Sequence, residues 1–208
     1  MKLRVHPHLL MLRFVQMSKR LKIYTRTGDK GTSSLYTGER RSKDDLIFHV
    51  LGNTDELSSC LGLAREYCQE SKNGIEQQLV KIQSTLLDLG SHVATPRNST
   101  SEFKLTRTEF DNKGDLAREL EEWIDIMDVE LPPLKNFILP SGGKAASALH
   151  ISRSVCRRAE RSIVPLVIEE IAQESAQRYL NRLSDYLFTA ARFASVKEGK
   201  VETIYQKS

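Results

Sequence analysis

The stretch IEQQLVKIQSTLLDLGSHV, residues 75–93, decides the fold. Its apolar residues Ile75, Leu79, Ile82, Leu86, Leu89 and Val93 recur every three or four positions, which is the period of one helix face. Asn73-Gly74 breaks the chain before it, and Pro96 stops it afterwards. The same period extends outward on both sides. Phe48, Leu51, Leu57, Leu61 and Ala64 predict an earlier helix from about Asp44 to Gln69, with Gly52 and Asn53 as weak interior points. Leu116, Leu120, Trp123, Ile124 and Met127 predict a helix that stops before Pro132-Pro133. A long helix runs from Ala145 to about Val164, where Pro165 kinks or ends it. The last helix spans about Gln173 to Lys197, with Tyr179, Leu183, Tyr186, Leu187 and Ala190 on one face. Between these elements, residues 95–112 and LKNFILPSGGK (134–144) are aperiodic and read as long loops. The expected fold is all-α: a five-helix bundle preceded by a Gly/Thr/Ser-rich segment, in one domain over residues 22–208.

Residues 1–21 are of another kind. Residues 1–22 contain six Lys or Arg and no acid; without those six, the net charge of +4 becomes −2. The overall basicity therefore belongs to the leader and gives no reason to expect nucleic acid as a partner. The leader reads as an organelle-targeting segment or a disordered tail. No stretch approaches the roughly 18 uncharged apolar residues of a membrane helix, so no membrane partner is expected. Cys60, Cys68 and Cys156 form no C-x-x-C and suggest a reducing compartment and helix packing. The histidines pair with no cysteine or carboxylate at zinc-ligand spacing, and no protein metal site is expected.

Three patches carry more polar chemistry than packing requires. In Thr25-Arg26-Thr27-Gly28-Asp29-Lys30-Gly31-Thr32-Ser33, two glycines let backbone N–H groups turn toward an anion, and Lys43 follows closely enough to reach the same phosphates. It is not a Walker A loop, and a plain surface turn reads equally well. In the long helix, Arg153, Arg157 and Arg161 stand four apart on one face with Glu160 beside them. Guanidinium forks suit phosphate oxygens, although a solvated charged face is the alternative. In the last helix, Asn181 and Asp185 share a face and could read ribose or adenine.

TRTGDKG (25–31), GNTDELSS (52–59), FILPSGG (137–143), SRSVCRRAER (152–161) and NRLSDYLF (181–188) occur in this order. Together they resemble the PduO-type cobalamin adenosyltransferases, the group containing the mitochondrial enzyme of animals, over residues 22–206. The resemblance implies transfer of the deoxyadenosyl group of ATP to cob(I)alamin, giving adenosylcobalamin and triphosphate, with Mg²⁺ accompanying the ATP. It implies a five-helix bundle assembled as a homotrimer in the mitochondrial matrix, with sites between subunits. Its partners would be a cobalamin reductase and a cobalamin-dependent mutase. By motif, Thr25, Arg26, Thr27, Gly28, Ser33, Lys43, Arg157, Arg158, Ala159, Glu160, Arg161 and Asn181 would bind ATP. Asp55 would pair with Arg153 across subunits, and Phe137 would face the corrin, so that Arg157, Phe137, Arg153 and Asp55 would carry catalysis. A non-catalytic cobalamin carrier and an ATP-hydrolysing bundle are the rival readings. The product separates them: triphosphate for the transferase, phosphate for a hydrolase, none for a carrier.

Overall fold

A computed structural model describes residues 23–98 and 100–207; the expected leader, residues 1–21, lies outside the described residues. In chain order the elements are β1 (Thr32–Ser34), β2 (Arg40–Ser42), α1 (Leu46–Ser71), α2 (Glu76–Val93), α3 (Glu102–Arg107), α4 (Asp115–Asp128), β3 (Ile138–Leu139), α5 (Lys144–Ile168), α6 (Glu174–Lys197) and β4 (Thr203–Ile204). The protein is mostly helical, as the apolar period requires.

Helix α1 begins where the Asp45 carboxylate accepts a 2.8 Å bond from the Ile47 N–H, satisfying one of the free donors of the first turn. It ends at Lys72, whose left-handed backbone returns its N–H to the carbonyls of Cys68 and Gln69. Between these caps it buries Ile47, Val50, Thr54, Leu57, Leu61, Ala64 and Cys68, so Gly52 and Asn53 do not interrupt it. Helix α1 packs on α2 and on α5, α5 packs on α6, and α6 on α4. Ala145, Ala146, Ala148, Ser152 and Ala159 give much of the buried face of α5 short side chains, which suits close approach of its neighbours. From Leu183 to Ser195 most residues of α6 are buried, so this half of α6 is the centre of the bundle.

The structure departs from the sequence reading in three places. Among the described residues there are six helices where five were expected, because α3 lies inside the supposed loop 95–112. It buries no side chain and so carries no apolar period. That loop is also anchored: Phe110 is buried with its ring edge-on to Tyr179, and Thr108 offers its carbonyl to His92 Nδ1 at 2.9 Å. Second, Pro165 does not end α5, which continues to Ile168; near a C-terminus its missing N–H removes only one bond of the last turns. Third, the loops hold two small antiparallel sheets. Register is Thr32↔Ser42, Ser33↔Arg41 and Ser34↔Arg40 in one, and Ile138↔Ile204 and Leu139↔Thr203 in the other. Strands of two or three residues are too short to show alternation.

Two glycines open α5. Gly142 and Gly143 have φ of 97° and 103°, and a Cβ at Gly142 would lie 2.5 Å from Ser195 Oγ. Only glycine lets this turn lie against the end of α6. Among the described residues, no helix is long and apolar enough to cross a membrane.

Candidate active site

The β1–β2 hairpin folds the N-terminal segment back on itself. Arg40 Nη2 donates to the Thr27 carbonyl at 2.7 Å and also reaches Thr32, while Arg40 Nη1 donates to Ser34 Oγ at 3.2 Å. The Lys43 N–H bonds the Gly31 carbonyl at 2.9 Å. As a result the Lys43 ammonium comes beside Gly28, where a Cβ would stand 3.2 Å from Nζ. Thr25 and Thr27 share a 2.9 Å hydroxyl contact, and Arg26, at φ 58°, lays its guanidinium over Tyr24. Ser33 is half-buried in β1 opposite Arg41. Thr25, Arg26, Thr27, Gly28, Ser33 and Lys43 thus belong to one compact structure. Arg40, which organises it, was missed by sequence reasoning because it lies outside the motif.

The second cluster lies across α5 and α6. Arg157 and Arg161 are exposed and form no ion pair or hydrogen bond among the described residues. Glu160, on the same side, accepts a 2.8 Å bond from Asn181 Nδ2 of α6. Arg158 turns away to an ion pair with Glu56 of α1. Ala159 does not share the arginine surface: it is 0% exposed, its methyl placed by the helical turn on the core side. No hydrogen bond or ion pair among the described residues joins Thr25, Arg26, Thr27, Gly28, Ser33 or Lys43 to Arg157, Arg161 or Asn181.

One turn earlier on α5, Arg153 and His150 flank the Phe188 ring, at 6.0 and 6.1 Å from its centre. Arg153 Nε and His150 Nδ1 are both buried without a hydrogen-bond partner among the described residues. Burial, and secondarily the Arg153 charge, push the His150 imidazole down to about 4, so it is neutral at physiological pH. Asp55 is exposed on α1 and forms no ion pair with Arg153 of its own chain. It lines a cleft of about 300 Å³ with Tyr36 and Ser58.

Phe137 is 85% exposed, and its carbonyl accepts a 2.8 Å bond from the Tyr205 N–H. A large apolar ring held out into solvent on an ordered turn is available to bind something flat and apolar. The thiols are a contrast. Cys68 and Cys156 are buried and Cys60 half-buried, all unpaired; burial pushes Cys68 up to about 11 and Cys156 further. No thiolate nucleophile is poised here. Among the described residues there is also no group of three or more His, Cys, Asp or Glu that could hold a metal ion.

The family profile "Cobalamin adenosyltransferase" matches residues 23–194. The chain is 56% identical over 186 residues to the corrinoid adenosyltransferase MMAB of Mus musculus, covering 89% of this chain and 78% of that one. It is 55% identical over 187 residues to the Homo sapiens protein of the same name, covering 90% and 74%. Among solved structures, a variant of the PduO-type ATP:corrinoid adenosyltransferase from Lactobacillus reuteri, complexed with cobalamin and ATP, superposes with a TM-score of 0.81. It shares 36% identity, covering 89% of this chain and 100% of that one.

Proposed function

The chain belongs to the cobalamin adenosyltransferase family, and from that premise we propose how its residues divide the reaction. It is an enzyme that adenosylates cobalamin with ATP. Cobalt(I) displaces triphosphate from the five-prime carbon of ATP: a cobalt–carbon bond forms as the carbon–oxygen bond breaks, and the electron pair leaves on the triphosphate. The nucleophile belongs to the corrinoid, so the chain needs no catalytic Ser, Cys or His. Its tasks are to align the carbon with cobalt and to stabilise charge on the leaving group.

Arg157 and Arg161 receive phosphate oxygens, and Asn181 with Glu160 orients the nucleoside. Thr25, Arg26, Thr27, Gly28, Ser33 and Lys43 contribute the other wall of the nucleotide site, with Arg158 and Ala159 shaping α5 behind the arginine face. The observation that carries this reading is the pair of guanidiniums, Arg157 and Arg161, without acid partners among the described residues. Magnesium fits as a companion of the triphosphate: Mg²⁺ is usually held largely by substrate phosphates and water, and it would neutralise charge that the arginines share.

The same reading makes the molecule a homotrimer with the nucleotide between subunits. Asp55 of one copy meets Arg153 of the next, which answers the buried, unpartnered Arg153 Nε. Phe137 packs on the corrin and displaces the lower axial ligand, favouring four-coordinate cobalt(II), which is easier to reduce. Residues 1–21 direct the chain to the mitochondrial matrix, where a reductase supplies cobalt(I) and a cobalamin-dependent mutase takes the product. Incubation with ATP and chemically reduced cobalamin tests the reaction: a cobalt–carbon spectrum with triphosphate release is expected. Release of phosphate without that spectrum would overturn it.

A further inference from the structure

The segment that carries Phe137 has almost no core of its own. From Pro132 to Pro140 every residue is exposed except Ile138, which is half-buried. Behind it, toward α6 and the C-terminal segment, lies a cleft of about 370 Å³ bordered by Leu134, Ile138, Val196 and Val201. Close packing therefore does not hold Phe137 in place. Hydrogen bonds frame the segment, and one buried arginine reaches both its entry and the chain that backs it.

Arg192 stands in the buried half of α6, its side chain only 6% exposed. Its Nη2 donates to the Pro132 carbonyl at 2.8 Å, at the start of the Phe137 segment. Its Nε donates to Glu202 Oε1 at 3.2 Å, at the start of the C-terminal strand; Glu202 is itself 18% exposed. That strand completes the frame. Ile204 and Thr203 pair with Ile138 and Leu139, the Tyr205 N–H bonds the Phe137 carbonyl, and the Thr203 N–H bonds Ser141 Oγ at 2.8 Å. One guanidinium thus ties the helix, the entry to the Phe137 segment and the strand that backs it. A planar fork can serve two acceptors at fixed angles, whereas an ammonium on a flexible stem is not pre-organised to do so.

We propose that Arg192 and Glu202 are a positioning pair for the adenosyl transfer, holding Phe137 at the height and angle from which it meets the corrin. The proposal rests on the reading of Phe137 given above. Neither residue touches substrate; both act through the segment they brace. A bracing role of this kind predicts damage confined to the corrin side of the reaction. The guanidinium row on α5 is separate from the clamp, so the Michaelis constant for ATP stays unchanged.

The test uses the full chain with cobalamin and ATP, and compares Arg192→Met, Arg192→Lys, Glu202→Gln and Phe137→Ala. Fold is monitored by helix content. The expected result for Arg192→Met and Glu202→Gln is a reduced four-coordinate cobalt(II) signal. Turnover from cobalt(II) under a reductant should fall roughly 10- to 100-fold, the scale that a misplacement of about an ångström costs. Most activity should remain when cobalt(I) is supplied ready-made, and Arg192→Lys should recover part of the signal. Should Arg192→Met unfold the chain, Glu202→Gln and Arg192→Lys carry the test, since each keeps a hydrogen-bonding group at its position. A normal cobalt(II) signal in the folded clamp variants, with the signal lost in Phe137→Ala, overturns the clamp and leaves Phe137 standing. A normal signal in Phe137→Ala overturns the corrin assignment and the clamp with it.

Discussion

Asn181 Nδ2 donates a 2.8 Å hydrogen bond to Glu160 Oε1, tying α6 to the arginine face of α5. Glu160 lies three residues after Arg157 and one before Arg161, and an acid at that spacing is free to pair with Arg157. The Asn181 amide engages the carboxylate instead and leaves the guanidiniums for an anion. Asn181→Ala should therefore raise the Michaelis constant for ATP roughly 2- to 10-fold, the scale of one net hydrogen bond of about 0.5–1.5 kcal/mol. Adding Glu160→Gln to Asn181→Ala should cost less than the two single effects combined, because they share one hydrogen bond. Strict additivity in steady-state kinetics would show that the pair has no joint role.

Arg157→Ala should nearly abolish adenosyl transfer and leave helix content unchanged. Arg157 is exposed and unpaired among the described residues, so folding loses little when it is removed. A charge-assisted hydrogen bond is worth roughly 1.5–3 kcal/mol, or about a 10- to 150-fold effect for each bond to phosphate that the substitution removes. Circular dichroism together with turnover at saturating ATP decides this, and near-normal turnover would remove Arg157 from the site.

Lys43 and Gly28 should behave as neighbours. Lys43→Ala should weaken ATP binding with modest change in turnover. Gly28→Ala should act in the same direction but more mildly, since its new methyl meets only the mobile end of Lys43 at 3.2 Å. Nucleotide titration of both variants and of the double variant measures the link. Unchanged affinity in Lys43→Ala would make Lys43 ordinary surface charge.

Two buried histidines predict an acid-sensitive fold. His150 is pushed down to about 4 by burial and Arg153, and His92 is lowered chiefly by burial. His92 Nδ1 bonds the Thr108 carbonyl, and Nε2 accepts the Gln173 N–H at 3.0 Å, which leaves no lone pair for another proton. Both folded values lie below the ordinary value of about 6.5, so the unfolded chain binds more protons as pH falls through that value. The contribution of each is complete above about pH 6.5 and is lost as pH falls; that of His150 goes progressively toward pH 4. Urea midpoints between pH 7 and 4.5 should fall for the parent chain and fall less for His150→Asn. An identical pH slope in the variant would clear His150 of this role.

The long helices were legible because α1, α2, α4, α5 and α6 each present apolar residues at helical spacing to a shared core. Helix α3 and the strands were not, since α3 buries nothing and each strand is three residues or fewer. The phosphate-type residues were legible as chemistry. Their organisers were not: Arg40, Glu56 and Arg192 act through partners distant in sequence, and Arg192 sits in a run of small apolar residues where only its burial marks it. Ala159 is the opposite case, named with its motif although its methyl belongs to the core.

Phe137 can be tested by stability as well as by spectrum. Its place between two prolines, shortly before Ser141-Gly142-Gly143, is also compatible with a core anchor. A core phenylalanine cut to alanine would cost about 3–5 kcal/mol. At 85% exposure the ring has little burial to lose, so Phe137→Ala should unfold within about 0.5 kcal/mol of the parent chain. The Tyr205 N–H bonds the backbone carbonyl of Phe137 and survives the substitution, so the turn itself should persist. Loss should then appear only with the corrinoid present. Adenosylation should fail mainly where cobalt(II) must be reduced on the enzyme, and recover when pre-reduced cobalt(I) is provided. A variant that unfolds several kcal/mol early, yet keeps the parent cobalt(II) spectrum, would return Phe137 to the core and defeat its assignment to the corrin.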